Sequence, residues 1–549
     1  MESAGNEAGG DNSDTYRICI SGLPKYTSPK DLKKLLASLN VDARKIRQVK
    51  THAFASFKSE DAQKFALDTL NDYGWRNRTL KARYANADTT TTTNAKLAFV
   101  ETGPPNSATN GDSADKNDQK SSPPDVNSML DSVSPLRQMT YSEQVQLKQS
   151  DAEQLLARIV KDLKNVHALN VPNTTASVLA LVRHSPVTEN YRNKCEFAIG
   201  HSPNGEFCIG FVCGRAPDGS SYVFPTDQCN LVPARVNRVV KHFGEFVNAS
   251  PYEVYKDGSH SGFWRFLTVR SFIADTMVIV TVSTAKLDES EGNARLDWTK
   301  IELSKWFDAQ NDPSCDGERV TSLYLHEMNS ISEPGHYALV CGAPYVYETL
   351  LQKRFRVSPD AFFQTNSAGA QQLYSVVGEV AALEKDSVVL DICCGTGTIG
   401  ICLASKCRLV LGLEMCAAAV SDARVNAHAN KANNCKFICG KAEDCFSQLK
   451  HLLPKEYPDL DSIDNLIGIV DPPRAGLHNR VVMAIRRLTK LRRLIFVSCD
   501  PKLASKNFVD LCRPESNRFI GPPFRIRQIV PVDMFPQTRH CEWVLVFER

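Results

Sequence analysis

No apolar run in this 549-residue chain approaches the roughly 18 residues that cross a bilayer, so no membrane partner is expected. Its 18 cysteines include no Cys-x-x-Cys pair, which argues against a clustered metal or redox framework. Free cysteine is ordinarily a small buried hydrophobe, so reduced core thiols are expected, with one left over for chemistry. Net charge is also scarce, since 65 Lys+Arg against 62 Asp+Glu leave +3. The segment Met1 to Asp14 lacks any Lys or Arg and has neither the secretory nor the mitochondrial leader pattern, so a cytosolic or nuclear location is expected. A hydrophobic content of 42% excludes wholesale disorder, and at about 100 to 200 residues per domain the length predicts about three domains.

The small total hides opposed regions. Residues 1–14 carry Glu2, Glu7, Asp11 and Asp14, giving −4; residues 15–86 hold 15 Lys+Arg and 6 Asp+Glu, giving +9; residues 87–150 hold 5 and 8, giving −3. Residues 151–549 are left with +1, because 3 + 4 − 9 + 3 = 1. Within the basic module, Tyr16 to Leu23 and Ala53 to Phe57 read as strands. Ser28 to Asn40 and Ser59 to Leu70 read as helices, and Leu80 to Tyr84 closes the sheet. This βαββαβ outline resembles an RNA-recognition motif, which implies base stacking at Cys19, His52 and Phe54; only Phe54 is a standard platform residue. The +9 charge suits sequence-independent contact with phosphates.

The low apolar content of residues 87–140, with five threonines at 89–93, predicts a disordered linker after the disordered acidic tail 1–14 and the RNA-binding module 15–86. Residues 141–345 read as a helical entry, amphipathic over Ser150 to Asn165, followed by a β-rich, antiparallel central domain for RNA binding. Arg265 and Arg270, on one of its strand runs, are expected to meet an RNA backbone.

Residues 346–549 carry the chemistry. Ser387 to Gly400 (SVVLDICCGTGTIG) is an apolar strand ending at Asp391, a turn with Gly395 and Gly397, then a helix. The next strand, Arg408 to Glu414, ends in a second acid. In a doubly wound sheet both acids lie at the carboxyl ends of neighbouring strands, where ligands bind, and Glu414 can accept hydrogen bonds from two ribose hydroxyls. An acid four residues before the first glycine, and the strand end Leu466 to Asp471 followed by Pro-Pro-Arg474, favour S-adenosyl-L-methionine over a dinucleotide. Asp471-Pro-Pro resembles the fourth motif of class I methyltransferases. Aspartate in place of the asparagine used for exocyclic amines points to a carbonyl- or imide-bearing ring.

One strand later, Leu494-Ile-Phe-Val-Ser-Cys499-Asp-Pro501 places a thiol at the same sheet edge. Uracil C5 is a poor nucleophile toward a methyl sulfonium; thiolate attack at C6 turns C5 into an enolate carbon, and a base must then remove the C5 proton. Glu542, in His540-Cys-Glu542 before the last strand, can lie at the crevice edge.

Phe362-Phe-Gln364-x-Asn366, Asp391-x-x-Cys-Gly-x-Gly397, Asp471-Pro-Pro-Arg, Ser498-Cys-Asp-Pro and His540-x-Glu542 stand in the order of the RNA uridine-C5 methyltransferases, which residues 141–549 closely resemble. The resemblance implies an α/β, class I methyltransferase sheet and methylation of uridine C5 at the T-loop uridine of tRNA. It makes Cys499 the nucleophile and Glu542 the proton acceptor, with Gln364, Asp391, Gly395, Gly397, Glu414 and Asp471 at the cofactor. Cys393 departs from the tyrosine common at its step. No cysteine quartet for an iron–sulfur cluster is found, so neither metal nor cluster is expected, nor an obligate protein partner. Two other readings use the same site: a tRNA-binding folding factor, and a cytosine-C5 RNA methyltransferase.

Overall fold

The computed structural model describes residues 16–24, 27–49, 52–76, 78–84, 123–169, 171–216, 219–312, 318–330, 333, 335–446 and 448–549. The expected acidic tail and the first part of the expected linker lie outside them.

In the N-terminal unit the strands order as Lys45–Val49, His52–Phe57, Tyr16–Ser21 and Lys81–Tyr84, an antiparallel sheet. Alternation along the first strand sends Ile18 and Ile20 into one core with Ala53, Ala55 and Phe57 and with Leu32, Leu36, Ala66 and Leu70 of the two helices. The first helix, Pro29–Ser38, opens on a capping box in which Ser28 and Asp31 satisfy each other's backbone amides. On the other face, Phe54 stands opposite Cys19. His52 is exposed and Phe54 half-buried, but Cys19 is 4% exposed and offers no stacking surface, because a side chain this short is covered by its neighbours on the flanking strands.

The second unit begins earlier than expected. Residues 126–133 of the segment read as a linker form a helix capped by Asp125, and Met129 and Leu130 sink into the core of the central domain; two well-placed apolar residues are enough to order a segment of low overall hydrophobicity. The entry helix spans Tyr141–Asn165, nine residues longer at its start than the amphipathic run, because Thr140 and Glu143 form a capping box there. Ala152, Leu156, Ile159 and Leu163 on this helix pack under the cofactor sheet, in one core with Val388, Leu411 and Phe496. The helix therefore belongs to the catalytic body, although the chain passes through the central domain before that body is completed.

The central sheet has the order His336–Gly342, Ser322–Glu327, Thr276–Val282, Trp264–Ser271, Lys194–His201, Phe207–Arg215, Ser221–Phe224. It is mixed rather than purely antiparallel. Thr276–Val282 and Ser322–Glu327 run parallel, and the helix Glu289–Gln310 makes the connection between them, as a parallel pair requires. One face is buried against this helix and Ala234–Asn248 through Phe197, Val269, Val280, Phe243 and Trp306. The other face contributes Met277, Ile279 and Tyr324 to the core shared with the catalytic body. Arg265 and Arg270 do not present themselves to an RNA backbone. They are 5% and 1% exposed; Arg265 donates to the Met328 carbonyl at 2.9 Å, and Arg270 to those of Pro359 and Ala361 at 3.1 and 2.5 Å. Their charges serve buried loop carbonyls, the alternative use of a guanidinium's fixed fork of donors.

The third sheet has the order Cys435–Cys439, Leu409–Glu414, Val388–Ile392, Leu466–Val470, Leu491–Ser498, Glu542–Glu548, Arg525–Val532. The first five strands are parallel and the last two antiparallel to their neighbours. Cores on both faces make it the doubly wound α/β arrangement expected from the sequence. The seventeen described cysteines are all free thiols. Among the described residues no helix is long and apolar enough to cross a membrane, and no group of side chains suited to a metal ion is found.

Candidate active site

The chain order reverses direction outward from Val388–Ile392, with Leu409–Glu414 on one side and Leu466–Val470 on the other. The crevice at such a point, beyond the carboxyl ends, is the ligand position of an open α/β sheet. Asp391 stands one residue before its strand ends. The turn that follows holds Cys393, Gly395 and Gly397 at φ of 62°, 54° and 78°, a left-handed region that glycine enters without penalty. A Cβ added at Gly395 would meet nothing, so the backbone there faces open space; one added at Gly397 would approach Phe437 at 3.0 Å.

Three carboxylates converge on this turn. Asp391 is fully buried; its Oδ2 accepts from Gly400 N at 3.1 Å, and its Oδ1 has no partner. Burial first, then the charges of Asp471 and Glu414, push its carboxyl up to about 7. Glu414 is oriented by two backbone amides, Gly395 N on one oxygen at 3.1 Å and Cys416 N on the other at 2.9 Å. Asp471 begins where its strand stops, its amide donating to Ile392 O at 3.3 Å, and burial pushes its carboxyl up to about 7 as well. An orphaned buried oxygen and mutually repelling acids around an open glycine turn suit a ligand that brings hydrogen-bond donors and positive charge.

Gln364 is buried on the loop before the helix Ser367–Ala381. Asn366 caps that helix, accepting from Gly369 N at 2.8 Å, and Asn193 pins the loop by donating to Gln364 O and Ser367 Oγ at 2.9 and 2.8 Å. No sequence signal singled out Asn193, because it lies in the other domain, just before the strand Lys194–His201.

Cys499 and Glu542 are brought together by strand register. Ser498 lies opposite Trp543 as the last pair of an antiparallel ladder, so Cys499, just past the end of one strand, and Glu542, the first residue of the other, come close enough for the Glu542 charge to act on the thiol. The Cys499 thiol is pushed up to about 12 by burial, then by Glu542 and Asp471, while Arg474 pulls it down. Glu542 is 2% exposed, its Oε2 has no partner, and burial followed by Asp471 raises its carboxyl well above the usual range, again against Arg474. Arg474 is thus the positive charge felt by both groups; it stood in the Asp-Pro-Pro-Arg motif, but nothing in the spacing singled it out. Cys541 turns away, its thiol toward Val532 O at 3.4 Å, which is packing. His540 is exposed and lies edge-on to Phe535. Glu443 pairs at 3.9 Å with His478.

A model of the tRNA (Uracil-5-)-methyltransferase family matches residues 327–549. Over its aligned length the chain is 36% identical to the human tRNA (uracil-5-)-methyltransferase homolog A, covering 98% of this chain and 83% of that one. It belongs to the tRNA (uracil-5-)-methyltransferase family. The mouse tRNA (uracil-5-)-methyltransferase homolog B is likewise 36% identical but spans 77% of this chain and 85% of its own. Among solved structures, the Pyrococcus abyssi tRNA (uracil-54, C5)-methyltransferase in complex with S-adenosyl-L-homocysteine aligns with a TM-score of 0.53 at 24% identity, covering 75% of this chain and 84% of that one. It has the same fold.

In this family member the raised Asp391 has a measurable consequence. Unfolded, its carboxyl titrates near 3.8; folded, near 7. Below the lower value it is neutral in both states. Between the two the unfolded chain ionises while the folded one keeps its proton, so wild-type stability falls as pH rises, and above 7 the loss levels off. Asp391→Asn removes this titration. Denaturant unfolding without cofactor should show the variant gaining on the wild type by up to ~4 kcal/mol between pH 4 and 7, at ~1.4 kcal/mol for each step of one in pH; a pH-independent gap would contradict the assignment.

Proposed function

We propose that this chain transfers the methyl group of S-adenosyl-L-methionine to C5 of a uridine in tRNA, the T-loop uridine, with Cys499 as nucleophile and Glu542 as proton acceptor. The observation that carries the reading is the strand pair ending at Ser498 opposite Trp543, which brings Cys499 within reach of the charges of Glu542 and Asp471 at the edge of the acidic crevice.

Asp391, Glu414 and Asp471, with the turn at Gly395 and Gly397 and the loop of Gln364, would hold the cofactor. Its ammonium and sulfonium groups answer the carboxylates, and its ribose hydroxyls answer Glu414. When bound it supplies an electrophilic methyl group. Cys499 Sγ forms a bond to uracil C6, which makes C5 nucleophilic. Addition moves the thiolate's charge onto the ring as an enolate, and bond formation between C5 and the methyl group discharges it, so Glu542 then faces a neutral ring that carries the C5 proton. Burial, which holds the Glu542 carboxyl high, also makes its carboxylate a stronger base for the C5 proton. Loss of that proton restores the C5–C6 double bond as sulfur leaves.

The target base must leave its stack to reach this crevice. The N-terminal unit is read as an RNA-recognition-motif-like module that holds tRNA through phosphates. Its strand order and its charge of +9 over residues 15–86 support this, whereas the buried Cys19 argues against base-specific stacking. Incubation of unmodified tRNA with the protein and S-adenosyl-L-methionine should yield 5-methyluridine by nucleoside analysis. A chain starting at Asp112 should keep its kcat while KM for tRNA rises. Absence of 5-methyluridine, or 5-methylcytidine in its place, would overturn the reading.

A further inference from the structure

Glu542 does not set its own position. Its Oε2 finds no hydrogen-bond partner, so its aim rests on the backbone that delivers it: one strand ladder behind, and the turn 533–541 ahead. Four consecutive carbonyls of that turn are each taken by a residue from elsewhere. Met534 O accepts from Asn366 Nδ2 at 2.9 Å and Phe535 O from Lys148 Nζ at 3.0 Å. Pro536 O accepts from the Tyr191 hydroxyl at 3.0 Å and Gln537 O from Leu136 N at 3.0 Å. Gln537 N in turn donates to Gln144 Oε1 at 2.7 Å. At φ 65°, Gln537 holds a backbone conformation that persists only where its surroundings over-determine it.

Below the turn lies a Lys148–Asp533 ion pair at 2.6 Å, with both side chains fully buried. Asp533 also accepts from Phe535 N at 3.1 Å. Sealing two charges from water is costly, and an apolar pair of similar volume would be as stable or more so. Such a pair is better explained by the geometry it imposes. Lys148 and Gln144 share one helix, Tyr141–Asn165, so a single rigid element holds the first half of the turn, from Asp533 to Gln537.

We propose that Lys148 and Gln144 are positioning residues for the proton-removal step, clamping the turn 533–541 so that Glu542 meets the C5 proton of the Cys499-bound uridine. This rests on the reading of Glu542 as the base. Lys148→Met keeps most of the volume and removes the donor. Its kcat should fall about 10- to 100-fold, the cost of a displacement near 1 Å, with KM for tRNA within about twofold of wild type, the pattern of an interaction that matters after substrate has bound. Its denaturation-resistant RNA–protein adduct should rise above the wild-type level, because addition proceeds and release is slowed. Gln144→Met, which leaves the ion pair intact, should show the same adduct at a smaller level and gives the reading if Lys148→Met does not fold; circular dichroism and cofactor binding establish folding. A folded variant with no extra adduct, whether kcat is unchanged or reduced, overturns the clamp, provided that Glu542→Gln accumulates adduct. If Glu542→Gln itself accumulates none, the base assignment falls and this inference falls with it.

Discussion

Cys499→Ala should abolish turnover, with kcat lower by on the order of 10⁴-fold or more, the scale on which removing a nucleophile acts. tRNA carrying tritium at uridine C5 should retain its label with this variant and release it with the wild type. The chemistry requires this result, since without addition at C6 no carbanion character develops at C5. Stability should change little, because Cys499 is only partly buried and the substitution removes one sulfur from a crevice wall. Cofactor binding should also survive, as the thiol is not part of the acidic turn. Full label release by Cys499→Ala would sink the mechanism while leaving the fold assignment intact. The thiol's position up near 12 adds that the resting protein holds it protonated. Its ionisation therefore belongs to the substrate complex and to the influence of Arg474.

Glu542→Gln should reduce turnover by about 10²- to 10⁴-fold, the usual worth of a positioned general base, and should trap its substrate. Glutamine keeps the shape of the side chain but cannot take the C5 proton. Methylated RNA would then remain joined to Cys499 through C6 and survive denaturing electrophoresis, and prior Cys499→Ala should abolish the band. The two variants fail on opposite sides of one intermediate, which makes their pairing more informative than either loss of activity. A Glu542→Gln protein with slow turnover and no adduct would assign the residue to packing.

How much of this was legible in the sequence varied with the range of the interaction. The Asp391 turn, the Asp471-Pro-Pro corner and the Cys499 strand end are local signals: each is a short run in which hydrophobic residues, glycine or proline fix the backbone and one polar residue is left over. The doubly wound sheet followed from the same runs. Arg265 and Arg270 show where local pattern stops being informative. Arginine on a strand run reads as a surface charge, yet each meets loop carbonyls from distant chain, Met328 in one case and Pro359 and Ala361 in the other. Nothing in its own strand announces such a partner. The linker illustrates the same limit, as composition averaged over residues 87–140 concealed the helix at 126–133 and the Leu136 contact to Gln537.

The amino-acid order by itself determined the reaction class, because the residue types needed to activate a uracil ring, hold a cofactor and form a parallel sheet stand in short motifs whose geometry is set within a few residues. Tertiary structure alone decided how those residues are aimed. Cys499 and Glu542 are 43 positions apart in the chain and are brought near each other by the strand pair that ends at Ser498 opposite Trp543. The turn before Glu542 is held by Lys148, nearly 400 positions away. A hydrogen bond depends on distance in space, and only the packed chain sets that distance.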